Sequence, residues 1–306
     1  MSVDYARAWQ IGYAKEVTYG TEQTPSGWIG LCLDATVEEN PNLEPIYHSN
    51  ERGAVQILDG QWEYGGSLTF LPQDGKFIAF ALGTSTVSGT QSPYTHTVSR
   101  TTVSPYTLPS MTLEYATGDV SLVRRYTGVK LNRMSVAGSV DRALKVTVDW
   151  LGQDCAKYTT KTEVTPDITT VPYRYSEGTI TINTVSTYEC RSFTLTYDNS
   201  LKRLPHIGSE TVSNLAEGRN PIECSFEMLL QTDTLWDLFA DKTGFNAEIK
   251  YARTTSDYVE FKLANCRLKN DIPLPEDSEL LESPTVTARS MTVELKDGID
   301  SYPTDA

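Results

Sequence analysis

Two stretches of this sequence follow one plan, and that repetition limits what the chain can fold into. From Ser67 to Gly83, Leu68 and Phe70 alternate with polar residues as in a half-buried strand; Phe77, Phe80 and Ala81 then recur at i, i+3 and i+4, the spacing of a helix face. From Ser225 to Gly244 the same order returns, with Phe226 and Met228 alternating and Trp236, Phe239 and Ala240 at helical spacing. Asp74 and Asp233 stand where an N-cap would accept the free N–H groups of a first turn. Gly83 and Gly244 offer the left-handed residue that ends a helix. Each unit therefore reads as strand, cap, short amphipathic helix and stop.

The correspondence extends outward in one order. Leu43–Ile46 followed by Glu51 matches Leu204–Ile207 followed by Glu210, and Leu113–Ala116 matches Ile249–Ala252. Gly128–Asn132 matches Asn265–Lys269, and Val146–Trp150 matches Met291–Leu295. The expectation is a mainly β protein made of two tandem copies of one β-sandwich or barrel domain, each with one short flanking α-helix. The first copy spans residues 1–155, with an N-terminal arm over 1–30. A Thr- and Pro-rich linker follows over 156–169, and the second copy spans 170–306. With 306 residues, each copy is long enough to bury its own core. Residues 84–108, rich in Thr, Ser, Gly and Pro, are an insertion in the first copy alone, and a loop of that length is usually functional.

Acidic residues outnumber basic ones by 40 to 26, which leaves a net charge of −14 and a surface that repels free nucleic acid and anionic membranes. The first residues, Met1-Ser2-Val3-Asp4-Tyr5-Ala6, have neither a basic start nor an apolar core, so no secretory signal is expected. The apolar runs are too short to span a bilayer as helices. Cys32, Cys155, Cys190, Cys224 and Cys266 are odd in number and form no C-x-x-C, which favours buried free thiols and a reducing cytoplasm. His48, His96 and His206 show no metal-binding spacing, and no nucleophile elbow or phosphate-binding loop occurs. The acids at 276–282 lack the turn glycine of a calcium loop. Neither an enzyme, nor a cofactor, nor a metal is therefore expected.

The arm Gly12-Tyr13-Ala14-Lys15-Glu16-Val17-Thr18-Tyr19-Gly20-Thr21, followed by Pro25, resembles the start of the tail tube (major tail) proteins of tailed bacteriophages and archaeal viruses, and the two-copy plan resembles their fused-duplicate members. The resemblance implies rings, trimeric and pseudo-hexameric for a fused duplicate, which stack into a virion tail tube that conducts DNA during ejection. It further implies assembly in the host cytoplasm, self-contacts within and between rings, and tape measure, tail terminator and distal tail or baseplate proteins as partners. Trp9, Tyr13 and Tyr19 are costly to leave in water and are the candidate inter-subunit contacts. An acidic lumen would repel DNA, which carries one charge per ~1.7 Å, over a Debye length of ~8 Å. Glu38, Glu39, Glu114, Glu276, Asp277, Glu279 and Glu282 are the candidate channel-facing acids. The competing reading is a two-domain β-sandwich module of a virus particle that recognises glycan or protein.

Overall fold

A computed structural model describes residues 9–102, 106–117, 122–183, 189–229, 234–269 and 281–305. In chain order the strands are β1 (Trp9–Lys15), β2 (Gly27–Trp28), β3 (Leu31–Asn40), β4 (Glu44–Tyr47), β5 (Ala54–Leu58) and β6 (Glu63–Leu71). Helix α1 (Lys76–Leu82) comes next, then β7 (Gly83–Ser88), β8 (Tyr94–Arg100), β9 (Met111–Thr117), β10 (Leu122–Ser139), β11 (Lys145–Gly152) and β12 (Asp154–Tyr158). The remainder comprises β13 (Gly178–Ile182), β14 (Cys190–Asp198), β15 (Lys202–Arg203), β16 (Leu215–Ala216), β17 (Ile222–Leu229), α2 (Thr234–Ala240), β18 (Phe245–Thr254), β19 (Asp257–Leu268), β20 (Leu281–Glu282), β21 (Thr285–Thr287) and β22 (Ser290–Asp297). The protein is mainly β, as expected.

Every described pairing between these strands is antiparallel. One long sheet runs β3–β6–β11–β10–β14–β17–β21, and the end of β19 pairs with β21. A second sheet, β2–β1–β9–β10–β12, uses the first half of β10. A third, β13–β18–β19–β22–β8–β7, uses most of β19. The second sheet packs on the first half of the long sheet: Tyr126 of β10 lies 5.0 Å from Trp150 of β11 and 6.1 Å from Tyr64 of β6, ring to ring. The third packs on its other half, with Phe193 of β14 against Tyr251 of β18 at 6.1 Å.

α1 sits inside this sandwich. Phe77, Ile78, Ala79, Phe80, Ala81 and Leu82 are all buried, so the helix is apolar on every side rather than amphipathic. Phe77 and Phe80 meet Tyr13 edge-on at 5.1 and 5.6 Å, and Phe70 meets Phe77 at 5.5 Å. Asp74 acts one residue outside the expected cap: Gly75 is the N-cap, and the Lys76 N–H donates to Asp74 Oδ1 at 3.0 Å. Gly83 ends the helix at φ 118°, a conformation that favours glycine. α2 departs further from expectation. It buries Leu235 and Leu238 while Phe239 is half-exposed, so its inward stripe is one residue out of phase with the expected one. The Trp236 side chain and Asp233 lie outside the described residues. The left-handed stop is Lys242 at φ 51°, not Gly244, and the Thr243 and Lys242 N–H groups bond back to Leu238 and Phe239.

The N-terminal arm and the expected 84–108 loop both contribute strands. The arm forms β1, in register with β9 from Trp9↔Thr117 to Lys15↔Met111. The 84–108 insertion contains the hairpin β7–β8, whose second strand, β8, pairs with β22 in the other half of the same chain. The two halves are further tied by Asn199, which is buried and donates to the Ala81 and Leu131 carbonyls at 2.9 and 2.8 Å.

Candidate channel wall

Side chains alternate across a strand, so register decides what each face of the long sheet presents. Val146, Val148 and Trp150 of β11 are buried, and Lys145, Thr147, Asp149 and Leu151 point the other way. Thr147 is opposite Thr69 on β6 and Ser135 on β10, and Ser135 is opposite Thr196 on β14. Asp34 of β3 extends this row at one end; Glu223 of β17 and Thr287 of β21 extend it at the other. A parallel row runs Thr36, Ser67, Asp149, Arg133, Asp198. The face away from the core is therefore a continuous polar wall across both halves of the chain.

Its composition is hydroxyl-rich and weakly acidic. Thr69 and Thr147 share a hydrogen bond of 3.1 Å between their hydroxyls, as do Ser225 and Thr285, and the Ser192 hydroxyl donates to Glu227 at 2.9 Å. These bonds tie side chains of neighbouring strands to one another across the wall. Among the described residues the acids are Asp34, Glu38, Glu63, Asp149, Asp198, Glu223 and Glu227, against the bases Arg133, Lys145, Arg267 and Lys269. Arg133 stands between Asp149 and Asp198 in register, and Lys269 pairs with Glu223 at 2.7 Å.

The acids named from sequence divide. Glu38 is on the polar wall and exposed. Glu39, one residue on, points to the opposite face, where it accepts from the Tyr126 hydroxyl at 2.7 Å and Arg124 at 3.3 Å. Burial, then the Glu39 carboxylate, pushes the Tyr126 phenol well up from its usual range and the Cys155 thiol up to about 11. Glu114 is not on the wall at all. It is 1% exposed on β9, bound to Arg125 at 2.7 Å and to the Thr162 N–H at 2.8 Å, because the segment after β12 covers that side of the second sheet. Glu276, Asp277 and Glu279 and the Glu282 side chain lie outside the described residues.

The expected arm contacts also change. Tyr13 is 1% exposed and fills its own chain's core against α1, which leaves no surface for a neighbour. Trp9 is half-buried and stacks on Tyr115, and Tyr19 covers the Lys130 ammonium at 4.9 Å. What fixes this arm is Glu16, which the sequence reading passed over. Its carboxylate is 4% exposed and accepts from the Gly20 and Gly128 N–H groups at 2.9 and 2.8 Å and from the Ser110 and Thr112 hydroxyls at 2.7 and 3.2 Å. Gly20 turns at φ 73°, where an added Cβ would meet Gln153 at 2.1 Å. The Lys-Glu-x-Thr-x-Gly-Thr run is thus a folded clasp. His48 and His206 are exposed in loops, whereas His96 is buried and stacked on Tyr302.

A family model described as phage tail tube protein matches residues 8–294, from just before β1 into the last strand, β22. The chain belongs to the phage tail tube family. No curated protein matches it. A tail tube protein is a structural component of the virion tail that assembles with itself into a tube, which suits a chain whose most extended feature is an open sheet face. Among the described residues, no helix is long and apolar enough to cross a membrane.

Proposed function

We propose that three copies of this chain close a pseudo-hexameric ring, that rings stack into a tube, and that the polar wall lines the lumen through which viral DNA is ejected. The observation that carries this reading is the β10–β14 seam, paired from Arg133↔Asp198 to Ser139↔Ser192, where one half of the chain extends the sheet of the other. β3 holds in the first half the place that β14 holds in the second, since each pairs with the strand that precedes a helix. Likewise β1–β9–β10–β12 is matched by β13–β18–β19–β22. These matched orders support a tandem duplication with domains over 1–155 and 170–306. The β3 edge of one chain can then add to the next chain as β14 adds to β10, a head-to-tail contact that closes into a ring.

Size favours three chains. Each contributes eight strand positions to the long sheet, counting β20 and β21 as one interrupted strand, so three give twenty-four. Strands ~4.8 Å apart and tilted by ~40° would close at a backbone diameter of ~48 Å, wide enough for duplex DNA within the side-chain lining. One chain closing alone would make a barrel of about eight strands, filled by its own side chains. The wall's polar residues do not suit such an interior.

In this tube the wall acts by weak repulsion. Replacing Glu38 and Glu223 by Lys adds phosphate contacts, so particles with normal tails should eject DNA more slowly, most clearly at low ionic strength. Ejection that keeps the wild-type rate at every salt concentration, in variants with normal tails, would count against a lumen-facing wall.

A further inference from the structure

We propose that His96 is a proton-operated latch: with both ring nitrogens protonated it clamps the C-terminal strap, residues 298–305, onto β7, β8 and β22, and loss of one proton releases the strap. This inference stands apart from the tube reading above. His96 is 0% exposed on β8, within the 84–108 insertion, opposite Val87 of β7 and Leu295 of β22. The strap folds back over its ring. Tyr302 lies flat on it, with centroids 3.7 Å apart and planes 5° from parallel, and Tyr302 is buried in turn.

Hydrogen bonding decides where the protons are. His96 Nε2 is 2.8 Å from the Ile299 carbonyl oxygen. A carbonyl can only accept, so Nε2 carries a proton. That leaves Nδ1 to set the charge of the ring. It is buried, has no hydrogen-bond partner among the described residues, and faces Asp305 Oδ2 at 3.7 Å. In a neutral ring its lone pair would oppose a carboxylate in a site closed to water. In the imidazolium an N–H faces that carboxylate instead. Asp297 Oδ1, 3.7 Å from Nε2, supplies a second counter-charge.

The surrounding groups favour the same state. The Tyr302 hydroxyl donates to Asp297 Oδ2 at 2.6 Å. Burial, then the Asp297 carboxylate, holds that phenol well above its usual range, so it stays a neutral donor and Asp297 keeps its charge. Tyr173 and Asp74 act on the same phenol, and the Lys76 ammonium is 3.8 Å from Asp74. Asp305 accepts the Ser85 hydroxyl and the Tyr302 N–H, both at 2.5 Å. Among the described residues neither Lys nor Arg pairs with Asp297 or Asp305, so His96 is the cation they share.

What the latch covers is the edge of β7. The Ser85 N–H donates to the Thr304 carbonyl at 3.3 Å, the Ser85 and Thr304 hydroxyls bond at 2.9 Å, and Ser85 and Asp305 form a parallel bridge. β7 is the end strand of its sheet, so the strap occupies part of an edge that would otherwise stand open to another strand. Protonation closes the latch, and rising pH opens it.

The test is a pH titration of the full chain labelled with ¹⁵N at histidine. The ring nitrogen shifts of His96 report its protons, and hydrogen exchange at Tyr302 and Asp305 reports the strap, corrected for the intrinsic pH dependence of exchange. The expected result is two ring protons while the strap is protected, then exchange ~tenfold faster or more as the ring loses one, the factor for a lost hydrogen bond to a charged group. Amides of β11 should not respond. Asp305→Asn should free the strap at every pH. A His96 ring with one proton throughout the folded range, or strap amides that ignore its titration, would overturn the latch, as would a wild-type pH response in Asp305→Asn. The wild-type titration decides the matter even where the variant misfolds.

Discussion

Replacing Glu16 by Gln tests the clasp that organises the N-terminal segment. Glu16 Oε1 accepts the Gly128 N–H and the Thr112 hydroxyl, and Oε2 accepts the Gly20 N–H and the Ser110 hydroxyl. A glutamine has the same shape but only one carbonyl oxygen. Its NH₂ must face either Gly128 or Gly20, and two N–H donors then oppose each other in a site that is 4% exposed. A buried N–H left without an acceptor costs ~1–3 kcal/mol. The retained bonds change from charge-assisted to neutral, which removes roughly another 1 kcal/mol. The hydroxyls can rotate to the new acceptor, so they add little. We expect Glu16→Gln to lose ~3 kcal/mol, a large share of the ~5–15 kcal/mol that holds a typical domain. Urea denaturation should show a lower midpoint at an unchanged slope, and hydrogen exchange at Gly20 and Gly128 should accelerate. A loss below ~0.5 kcal/mol with both amides still protected would refute this account of the motif.

The sequence places Glu38 and Glu114 in one class, and the structure separates them. Glu114→Lys should lose ~3–5 kcal/mol in denaturation, because it leaves Arg125 facing a second buried cation. Glu38→Lys, at an exposed position, should stay within ~0.5 kcal/mol of wild type. Hydrogen bonds from Lys262 and Tyr258 hold the Glu294 carboxyl below its ordinary 4.5. Its folded pKa is depressed, so its stabilisation is present above pH 4.5 and is lost as pH falls through the folded value. Glu294→Gln should therefore flatten the acid limb of a Tm–pH curve, and an unchanged limb would contradict the assignment.

What could be read from sequence follows from how regularly each element alternates. β11 and β17 bury one face and expose the other, so Val146, Val148, Phe226 and Met228 reveal them directly. β1 hides its nature because Ile11, Gly12, Tyr13 and Ala14 are all buried: the sheet covers one side, and Pro25, Gly27 and Val164 approach the other. β9 misleads for the same reason. Met111, Thr112, Leu113 and Glu114 are all buried, so an acid that looks surface-facing is in fact covered. The β7–β8 hairpin has little apolar pattern because it is held largely by main-chain pairing to β22, and sequence spacing does not show which distant strand will accept it. Glu16 carries a readable signal only in context. An acid between Lys15 and a Gly-containing turn can be a backbone anchor, and its partners Ser110, Thr112 and Gly128 are about a hundred residues away along the chain.

The central claim is that each chain supplies two equivalent sixths of a ring. Cryo-electron microscopy of assembled tubes, with mass measurement of the smallest closed ring, tests it most directly. The account predicts three chains per ring and a lumen wall of twenty-four strands, in which β3 of one chain adds to its neighbour as β14 adds to β10. Six chains per ring, or a lumen lined by the outer sheet β2–β1–β9–β10–β12, would contradict it.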